Sequence, residues 1–179
     1  MAGTETAPSS FARLTARLSE AANRRGLYLG RRATRIHVAL YRWSGGRIGG
    51  HLPGWPEARI ALVDHRGRMS GRRRTSPLIY RDVGDAIAVA ASKGGQPTNP
   101  AWFHNLRANP ETTIQVGPHV RPVRARVAAG EERELLWRAL VGVFPSYEFY
   151  RVQAGRRQIP IVVLEPRTGA ASTDAGRSG

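Results

Sequence analysis

Arginines and glycines crowd one short segment, residues 67–77, which reads GRMSGRRRTSP. A guanidinium group donates paired hydrogen bonds to a phosphate or carboxylate, and glycines leave backbone amides accessible to an anion. The segment predicts either an anion-binding turn or a hairpin tip whose basic face is simply solvated. It lacks the GxxxxGK[ST] pattern of a phosphate-binding loop, and the chain has no GxGxxG dinucleotide fingerprint.

A strand-like run ends in AASKGG, residues 90–95, and brings together a hydroxyl, a cation and two glycines. Lys93 is the only lysine, since all other cationic side chains are arginines. The glycines would let a ligand approach the backbone closely, and the amides after Ser92 could meet an anionic group or a heterocyclic carbonyl. An ordinary glycine turn at the end of a strand would account for the same residues.

Two aromatic segments follow, residues 99–110 (NPAWFHNLRANP) and 144–150 (FPSYEFY). Helical spacing directs Trp102, Phe103 and Leu106 towards the interior and places Asn105 beside Trp102. Such a cluster forms a core more often than a cofactor site. The two tyrosines of the second segment could line a substrate pocket with a flat wall and a hydroxyl, or could pack the segment down.

The 179-residue chain carries a formal net charge of +15 and has no cysteine. The charge attracts anionic partners such as phosphorylated cofactors, nucleic acid or an acidic membrane surface. The lack of cysteine excludes disulfides, iron–sulfur clusters and thiolate chemistry. The histidines are scattered and neither HExxH nor GxSxG occurs, so no metal site or hydrolase elbow is predicted. No apolar stretch is long enough to predict a transmembrane helix.

Hydrophobic periodicity divides the chain into helices and short strands. A basic amphipathic helix begins at Ser10, and a second spans 31–44 with Ile36, Leu40 and Trp43 on its apolar face. Glycines and prolines predict a loop over 45–56. Further helices are predicted at 100–108, 131–143 and 144–152, and strands at 59–64, 74–80, 86–91, 112–116, 120–128 and 159–164. Pro122 predicts that the fifth strand lies at an edge or bulge.

These elements do not alternate strictly as βαβ units, so a doubly wound sheet is not expected. About six short strands with helices between them predict an α+β fold, a small and mostly antiparallel barrel with peripheral helices. The predicted organisation is an N-terminal tail and basic helix over 1–30, a barrel domain over 31–165 and a disordered tail over 166–179.

Taken in order, four motifs resemble the deazaflavin-dependent nitroreductase family. They are the arginine turn at 67–78, the ASKGG strand end, the NPxWxxNLxANP helix with the strand after it at 99–115, and the FPxYxxY…RQIPIVVLE ending at 144–165. The resemblance covers residues 31–165, and four motifs in order at matching spacing form a specific signature. It implies a split β-barrel like that of the FMN-binding pyridoxamine-phosphate oxidases.

The resemblance implies coenzyme F420 as the cofactor, with FMN as the alternative that the same fold also binds. The phosphate and glutamates of the F420 tail would be the partner of the positive charge. Matching positions imply that the cofactor contacts are Arg68, Arg72, Arg74, Thr75, Pro77, Ala91, Ser92, Lys93, Gly94, Pro100, Ala101, Trp102 and Asn105. Tyr147 and Ser92 are implied as catalytic residues, because a protonated hydroxyl beside the acceptor can donate a proton. The implied acceptor-binding residues are Tyr147, Tyr150, Phe144 and Ile79.

The implied activity is hydride transfer from reduced deazaflavin to a small acceptor, namely a quinone, a nitroaromatic or an activated alkene. One alternative is an F420 or flavin carrier with little turnover. Another is a basic protein that binds nucleic acid or a membrane surface, although no specific nucleic-acid motif is found. Three departures from the family pattern bear on affinity and acceptor range: Met69 replaces a lysine, Phe144 replaces a tyrosine, and Asp64-His65-Arg66 replaces a threonine-rich strand end.

The basic N-terminal helix suggests where the protein acts. The helix could lie on an anionic bilayer that contains a membrane quinone, or it could pack on the barrel or on a partner subunit. The expected location is the cytoplasm, either free or peripheral on the inner face of the cell membrane. A homodimer is a further expectation, because split barrels often dimerise.

Overall fold

Seven strands and four helices make up the part of the chain that the computed structural model describes, residues 30–167. The helices are α1 (Arg31–Ser44), α2 (Ala101–Ala108), α3 (Gly130–Val143) and α4 (Ser146–Gln153). The strands are β1 (His51–Leu52), β2 (Trp55–Arg66), β3 (Arg73–Val83), β4 (Ala86–Ala90), β5 (Glu111–Val116), β6 (His119–Val127) and β7 (Ile161–Pro166). The predicted N-terminal helix lies outside the described residues, as does nearly all of the predicted C-terminal tail.

Six of these strands close into an antiparallel barrel. The order is β1-β2-β3-β4-β7-β6-β5, and a further pairing of β2 with β5 completes the ring. Every pair is antiparallel. The structure therefore confirms the predicted barrel, and closure leaves the short β1 as the one edge strand within residues 30–167.

Alternating residues of the strands divide the core into two layers, because neighbouring side chains point to opposite faces. Residues from all six barrel strands meet inside, and Trp102, Phe103 and Leu106 of α2 pack against them. The other face of β4 and β7 packs against α3 and α4, where Leu140 is fully buried. The predicted inward orientation of Trp102, Phe103 and Leu106 is confirmed. The outer helices pack directly on the barrel.

Two sequence predictions about strands are wrong. Residues 45–56 are not all loop, because β1 and β2 form a tight hairpin in which Leu52 pairs with Trp55. Between them Pro53 has a preset φ and Gly54 supplies the positive φ (81°) that this turn needs. β6 is not an edge strand, since it pairs with β5 and β7. Pro122 is tolerated because the pairing with β7 begins only at Val123, so that pairing needs no N–H from residue 122.

Helix α1 packs on the barrel through a face other than the one expected from its aliphatic residues. Tyr41 is buried, and its hydroxyl donates to the Ile60 carbonyl (2.8 Å) and accepts from the Gly117 amide (2.9 Å). Ile36, Leu40 and Trp43 are instead 60%, 41% and 80% exposed. A tyrosine that satisfies two buried backbone groups therefore decides the orientation of the helix.

Candidate functional site

The barrel opens where the pairing between β2 and β5 stops. Only Leu62 with Gln115 and Val63 with Ile114 are paired between these strands in the described residues. Beyond Val63, β2 continues to Arg66, and a groove of about 1380 Å³ occupies the opening. Helix α1 forms one wall of the groove, and the start of α2 forms another.

The groove is strongly basic. Its lining includes eight cationic side chains, Arg35, Arg42, Arg66, Arg72, Arg73, Arg74, Lys93 and Arg167. Asp64 and Glu111 are the two carboxylates in the same lining, and they pair with Arg42 (2.9 Å) and Arg167 (3.3 Å). A concave surface with this excess of positive charge concentrates anionic ligands.

The arginine turn places three of these cations at the mouth of the groove. The Gly67 amide donates to the Arg72 carbonyl (2.9 Å), and the Gly71 amide donates to the Gly67 carbonyl (2.7 Å). Gly71 adopts a positive φ of 63°, which suits a residue without a β-carbon. This closed turn directs the chain into β3, so that residues 72–74 enter the groove lining while Met69 stays 86% exposed outside it.

A buried hydrogen-bond network connects the turn to α2 and β3. The Arg68 amide donates to Asn105 Oδ1 (3.0 Å), and Asn105 Nδ2 donates to His65 Nδ1 (2.9 Å). Because Nδ1 accepts, Nε2 carries the hydrogen of the neutral imidazole and donates to Ser76 Oγ (3.0 Å). The Ser76 hydroxyl hydrogen is then directed elsewhere, and Ser76 lines the groove.

Burial keeps His65 neutral. Desolvation, followed by the positive charge of Arg74, lowers the pKa of His65 from 6.5 to about 4, against a smaller opposing effect of Asp64. The neutral imidazole therefore persists through the physiological pH range. Its proton arrangement, and with it the hydrogen bond to Ser76, stays fixed under assay conditions.

The depressed pKa of His65 predicts a loss of stability in acid. The unfolded chain binds a proton near pH 6.5 whereas the folded protein does not until about pH 4, so the free energy of unfolding should fall across this interval. The contribution is of the order of 3 kcal/mol. Urea denaturation at a series of pH values should show a shallower dependence for His65→Gln. His104→Gln is the control, and an equal slope in wild type and His65→Gln would contradict the prediction.

A second polar cluster holds Thr75 in the groove wall. The Asp64 carboxylate accepts from Arg42 Nη2 (2.9 Å) and from the Thr75 hydroxyl, and Arg42 also donates to Thr75 Oγ1 (3.2 Å). The Thr112 hydroxyl donates to the Asp64 carbonyl and so connects β5 to β2 beside the opening. The sequence shows Asp64 only as a departure from the family pattern and does not mark Arg42 as a site residue, because nothing local indicates that the two side chains meet.

The ASKGG segment reaches the groove through Lys93. Lys93 has a positive φ of 51°, which is uncommon for a residue with a side chain, and its Nζ donates to Thr98 Oγ1 (2.8 Å). Residues 93–95 form a 3₁₀ turn, and Gly94 and Gly95 also have positive φ. Pro100, Ala101 and Trp102, which follow this turn, line the same groove.

The groove gathers residues from three of the four sequence motifs. Of the predicted cofactor contacts, its lining contains Arg72, Arg74, Thr75, Lys93, Pro100, Ala101 and Trp102. The others lie outside the lining. Ala91 and Asn105 are buried, Pro77, Ser92 and Gly94 are half-buried, and Arg68 is exposed. Asn105 and the Arg68 amide belong to the network that holds the turn, and sequence reasoning did not identify its other members, His65 and Ser76.

The predicted acceptor residues lie in the outer layer of the core, away from the groove lining. Phe144, Tyr147 and Tyr150 pack together, with ring centroids 5.1 to 6.2 Å apart, and all three are buried. Burial raises the pKa of the Tyr147 hydroxyl, which therefore stays protonated. Ile79 is half-buried against the same layer. The role of these four residues in acceptor binding stays a prediction.

The family model described as F420H(2)-dependent quinone reductase matches residues 33–166 of this sequence. The chain belongs to this family. Its membership makes the protein an F420H2-dependent reductase with coenzyme F420 as cofactor, which confirms the predicted enzyme class and cofactor. The resemblance read from the four motifs is confirmed as well.

Curated and solved relatives of this reductase agree with the family match. An F420H(2)-dependent quinone reductase of Mycobacterium tuberculosis is 37% identical over 143 residues, which are 78% of this chain and 94% of the relative. A solved F420-H2 dependent reductase, FDR-A, is 38% identical with a TM-score of 0.56 and covers 59% of this chain and 93% of its own. A solved structure described as a domain-swapped dimer is 32% identical with a TM-score of 0.59, over 75% of this chain and 96% of its own.

The groove fits the chemical character of the family cofactor. The F420 tail carries a phosphate and glutamate carboxylates, and the groove offers arginines together with the hydroxyls of Thr75 and Ser76. Arg72, Arg73 and Arg74 form no ion pair with a carboxylate within residues 30–167, so their charge is not neutralised by the described part of the protein. The groove volume of about 1380 Å³ exceeds the usual range of about 300–1,000 Å³ for small-molecule sites and leaves room for an elongated cofactor.

Proposed function

We propose that this reductase binds coenzyme F420 in the basic groove and reduces a quinone. The observation that carries the proposal is the convergence of eight cationic side chains on the opening of the barrel in a chain of this family. Quinone reduction to a hydroquinone consumes one hydride and one proton, so atoms and charge balance. Nitroaromatics and activated alkenes accept a hydride in the same way and are the alternative acceptors.

The arginines of the groove are proposed to bind the anionic tail of the cofactor. Arg72, Arg73 and Arg74 bind the phosphate and carboxylates of the cofactor tail, because charge-assisted hydrogen bonds from guanidinium groups are directional and strong. The Ser76 hydroxyl accepts from His65 and donates its own hydrogen into the groove. Lys93 and the start of α2 form the opposite wall and exclude water from the reacting atoms. When bound, the reduced cofactor supplies the hydride.

The remaining predicted contacts are proposed to border or support the cofactor position. They are Arg68, Thr75, Pro77, Ala91, Ser92, Gly94 and Asn105. Ser92 is one proposed source of the proton that completes quinone reduction. It directly precedes Lys93, which lines the groove, and this place in the chain next to the groove supports the proposal.

The acceptor is proposed to approach from the aromatic side. Helix α4 packs directly behind the 3₁₀ turn, since a β-carbon on Gly95 would lie 2.8 Å from the Tyr150 carbonyl oxygen and 2.7 Å from Gln153 Cβ. The helix that carries Tyr147 and Tyr150 therefore lies against the segment that carries Ser92 and Lys93. Because Tyr147 is buried, the proposal requires α4 to move away from the turn when the acceptor binds.

Tyr147→Phe tests this acceptor assignment. We expect kcat to fall about 100-fold, at the low end of the effect of a general acid, while the dissociation constant for F420 stays unchanged. Steady-state kinetics with menadione and a fluorescence titration with F420 give the two values. Phe149→Leu, at a partly exposed ring of the same helix, is the matched control. An unchanged kcat in Tyr147→Phe would remove this residue from the acceptor site.

The function itself is tested with purified protein titrated separately with F420 and FMN, followed by anaerobic mixing of the reduced F420 complex with menadione. The proposal predicts selective binding of F420 and oxidation of the reduced cofactor by menadione. Parallel mixing with a nitroaromatic and an activated alkene ranks the acceptor classes. Preferential binding of FMN, or tight F420 binding without oxidation by any acceptor, would overturn the proposal in favour of a carrier.

The exposed side of α1 supports a peripheral membrane location, which we propose as part of this function. No helix within residues 30–167 is long and apolar enough to cross a membrane. Ile36, Leu40 and Trp43 form an exposed apolar stripe, with the exposed Arg32 on the same helix and the exposed Arg47 just after it. Apolar side chains flanked by arginines suit an anionic bilayer, which would also supply a lipophilic quinone, and the basic N-terminal segment would add to the attraction.

Sedimentation with vesicles tests this location. Trp43→Ser should reduce binding to phosphatidylglycerol vesicles several-fold, because an exposed indole inserts at the membrane interface. Val152→Ser, another exposed apolar residue, should bind like the wild type. Equal binding of Trp43→Ser and wild type would contradict the membrane assignment.

We also propose a homodimer, because the chain resembles the solved domain-swapped dimer. A solution mass near twice 19.6 kDa would support it.

A further inference from the structure

Arg157 reaches across from the segment between α4 and β7 to the backbone of residues 91–99. Its Nε donates to the Gln96 carbonyl (2.8 Å), and its Nη2 donates to the Ser92 carbonyl (2.7 Å). Its Nη1 donates to the Ala91 carbonyl (3.2 Å) and to Asn99 Oδ1 (2.8 Å). One half-buried guanidinium thus holds four acceptors of a single segment, and all four acceptors are neutral.

These contacts fix the direction of the neighbouring amides. In a trans peptide the C=O and the following N–H point in opposite directions. Because the Ala91 and Ser92 carbonyls face Arg157, the amides of Ser92 and Lys93 face away from it. Ser92 has a right-handed helical backbone conformation (φ −67°, ψ −43°), and Lys93 has a positive φ of 51°. This succession turns consecutive N–H groups towards a common point that suits an anion.

The conformation of Lys93 is one that the chain would not hold by itself. A residue with a side chain in the left-handed region is strained and persists only where its surroundings enforce that conformation. Lys93 Nζ donates to Thr98 Oγ1 within the same segment, which restrains the side chain and leaves the backbone to be held by other contacts. Arg157 supplies such contacts on both sides of Lys93, at the Ser92 and Gln96 carbonyls.

We infer that Arg157 is a positioning residue for the cofactor, which shapes the 91–99 segment from behind so that the Ser92 and Lys93 amides face the ligand. The inference rests on the proposed function only in that the ligand is F420. The guanidinium acts without touching the cofactor, through the geometry of its fork. A lysine retains the charge but not the planar fork, so it cannot reproduce the set of four contacts.

The test compares Arg157→Ala and Arg157→Lys with Arg156→Ala, an exposed arginine next to it that serves as control. In the cofactor-free protein, amides of residues 92–99 should exchange with solvent about tenfold faster in Arg157→Ala, as expected for the loss of roughly 1.4 kcal/mol of local protection. The F420 dissociation constant should rise at least about tenfold. Millimolar guanidinium ion should partly restore both values, whereas the same concentration of sodium chloride should not.

The outcomes separate the inference from the proposed function. Unchanged exchange at 92–99, or faster exchange that leaves F420 affinity at the wild-type value, would overturn the role of Arg157. If wild type binds no F420, the proposed function fails, while exchange in the cofactor-free variants still decides whether Arg157 holds the segment. If Arg157→Ala does not fold, Arg157→Lys gives the same comparison, and wild-type affinity and exchange in that variant would contradict the inference.

Discussion

Replacing Arg72 and Arg74 together by glutamine is expected to raise the dissociation constant for F420 by about 100-fold or more. Both side chains line the groove at the start of β3, and both are exposed. Hydrogen bonds to charged groups contribute about 1.5–3 kcal/mol each, so the loss of two corresponds to at least two decades in affinity. Because neither guanidinium pairs with a carboxylate in residues 30–167, the fold should tolerate the change. A fluorescence titration at fixed ionic strength gives the constants.

The matched control removes the same charge elsewhere. Arg81 on β3 and Arg138 on α3 are exposed and lie outside the groove lining, so Arg81→Gln with Arg138→Gln lowers the net charge equally. This control should weaken binding by only a small, salt-sensitive amount, as expected for long-range attraction. If both double variants lose affinity to the same extent, the effect is the overall field of the protein and the turn is not the anion site.

Asn105→Leu is expected to lower the free energy of unfolding by about 2–5 kcal/mol, because it leaves the buried His65 Nδ1 and the half-buried Arg68 amide without partners. The side chain of Asn105 is 5% exposed, and it joins the Arg68 amide to His65 Nδ1. Leucine has a similar volume but offers neither the acceptor nor the donor. F420 affinity should fall as well, since the turn that carries Arg72 loses its attachment to α2. Urea denaturation and F420 titration measure the two effects.

Two companion variants make this prediction specific. Asn109→Leu changes an exposed asparagine one turn later and should leave stability within about 0.5 kcal/mol of the wild type. Asn105→Asp keeps an acceptor for the Arg68 amide but replaces the donor to His65. The carboxylate should then attract a proton to Nδ1 and raise the pKa of His65, which NMR titration of the imidazole can follow. A wild-type stability for Asn105→Leu would show that the network does not hold the turn.

Local sequence carries much of this fold. The helix at 31–44 begins and ends at the predicted residues, and all six barrel strands overlap the predicted runs, because alternation and turn residues are local signals. The β1–β2 hairpin escaped prediction because Pro53 and Gly54, which break regular structure elsewhere, form the turn itself. The edge prediction from Pro122 was wrong because β6 has a neighbouring strand on each side. Its pairing with β7 begins only at Val123, so that pairing needs no N–H from residue 122.

The site was predictable where its residues are consecutive and less so where the fold brings distant residues together. The arginine turn and Lys93 were identified because residue type and spacing mark them. Arg157 contacts a segment about sixty positions earlier in the chain, and no local pattern indicates which carbonyls a guanidinium will reach. His65 looked like a departure from the family pattern, and only the three-dimensional arrangement shows that it connects Asn105 to Ser76.

Hydrogen exchange of the wild-type protein with and without F420 shows whether the basic opening of the barrel binds the cofactor. We expect slower exchange in residues 64–76 and 91–102, which contain the arginine turn, Ser76, Lys93 and the start of α2. Protection confined to the smaller basic cavity of about 530 Å³ beside Trp137, Arg151 and Arg156 would contradict it. Saturating F420 that slows exchange nowhere in the groove would contradict it equally.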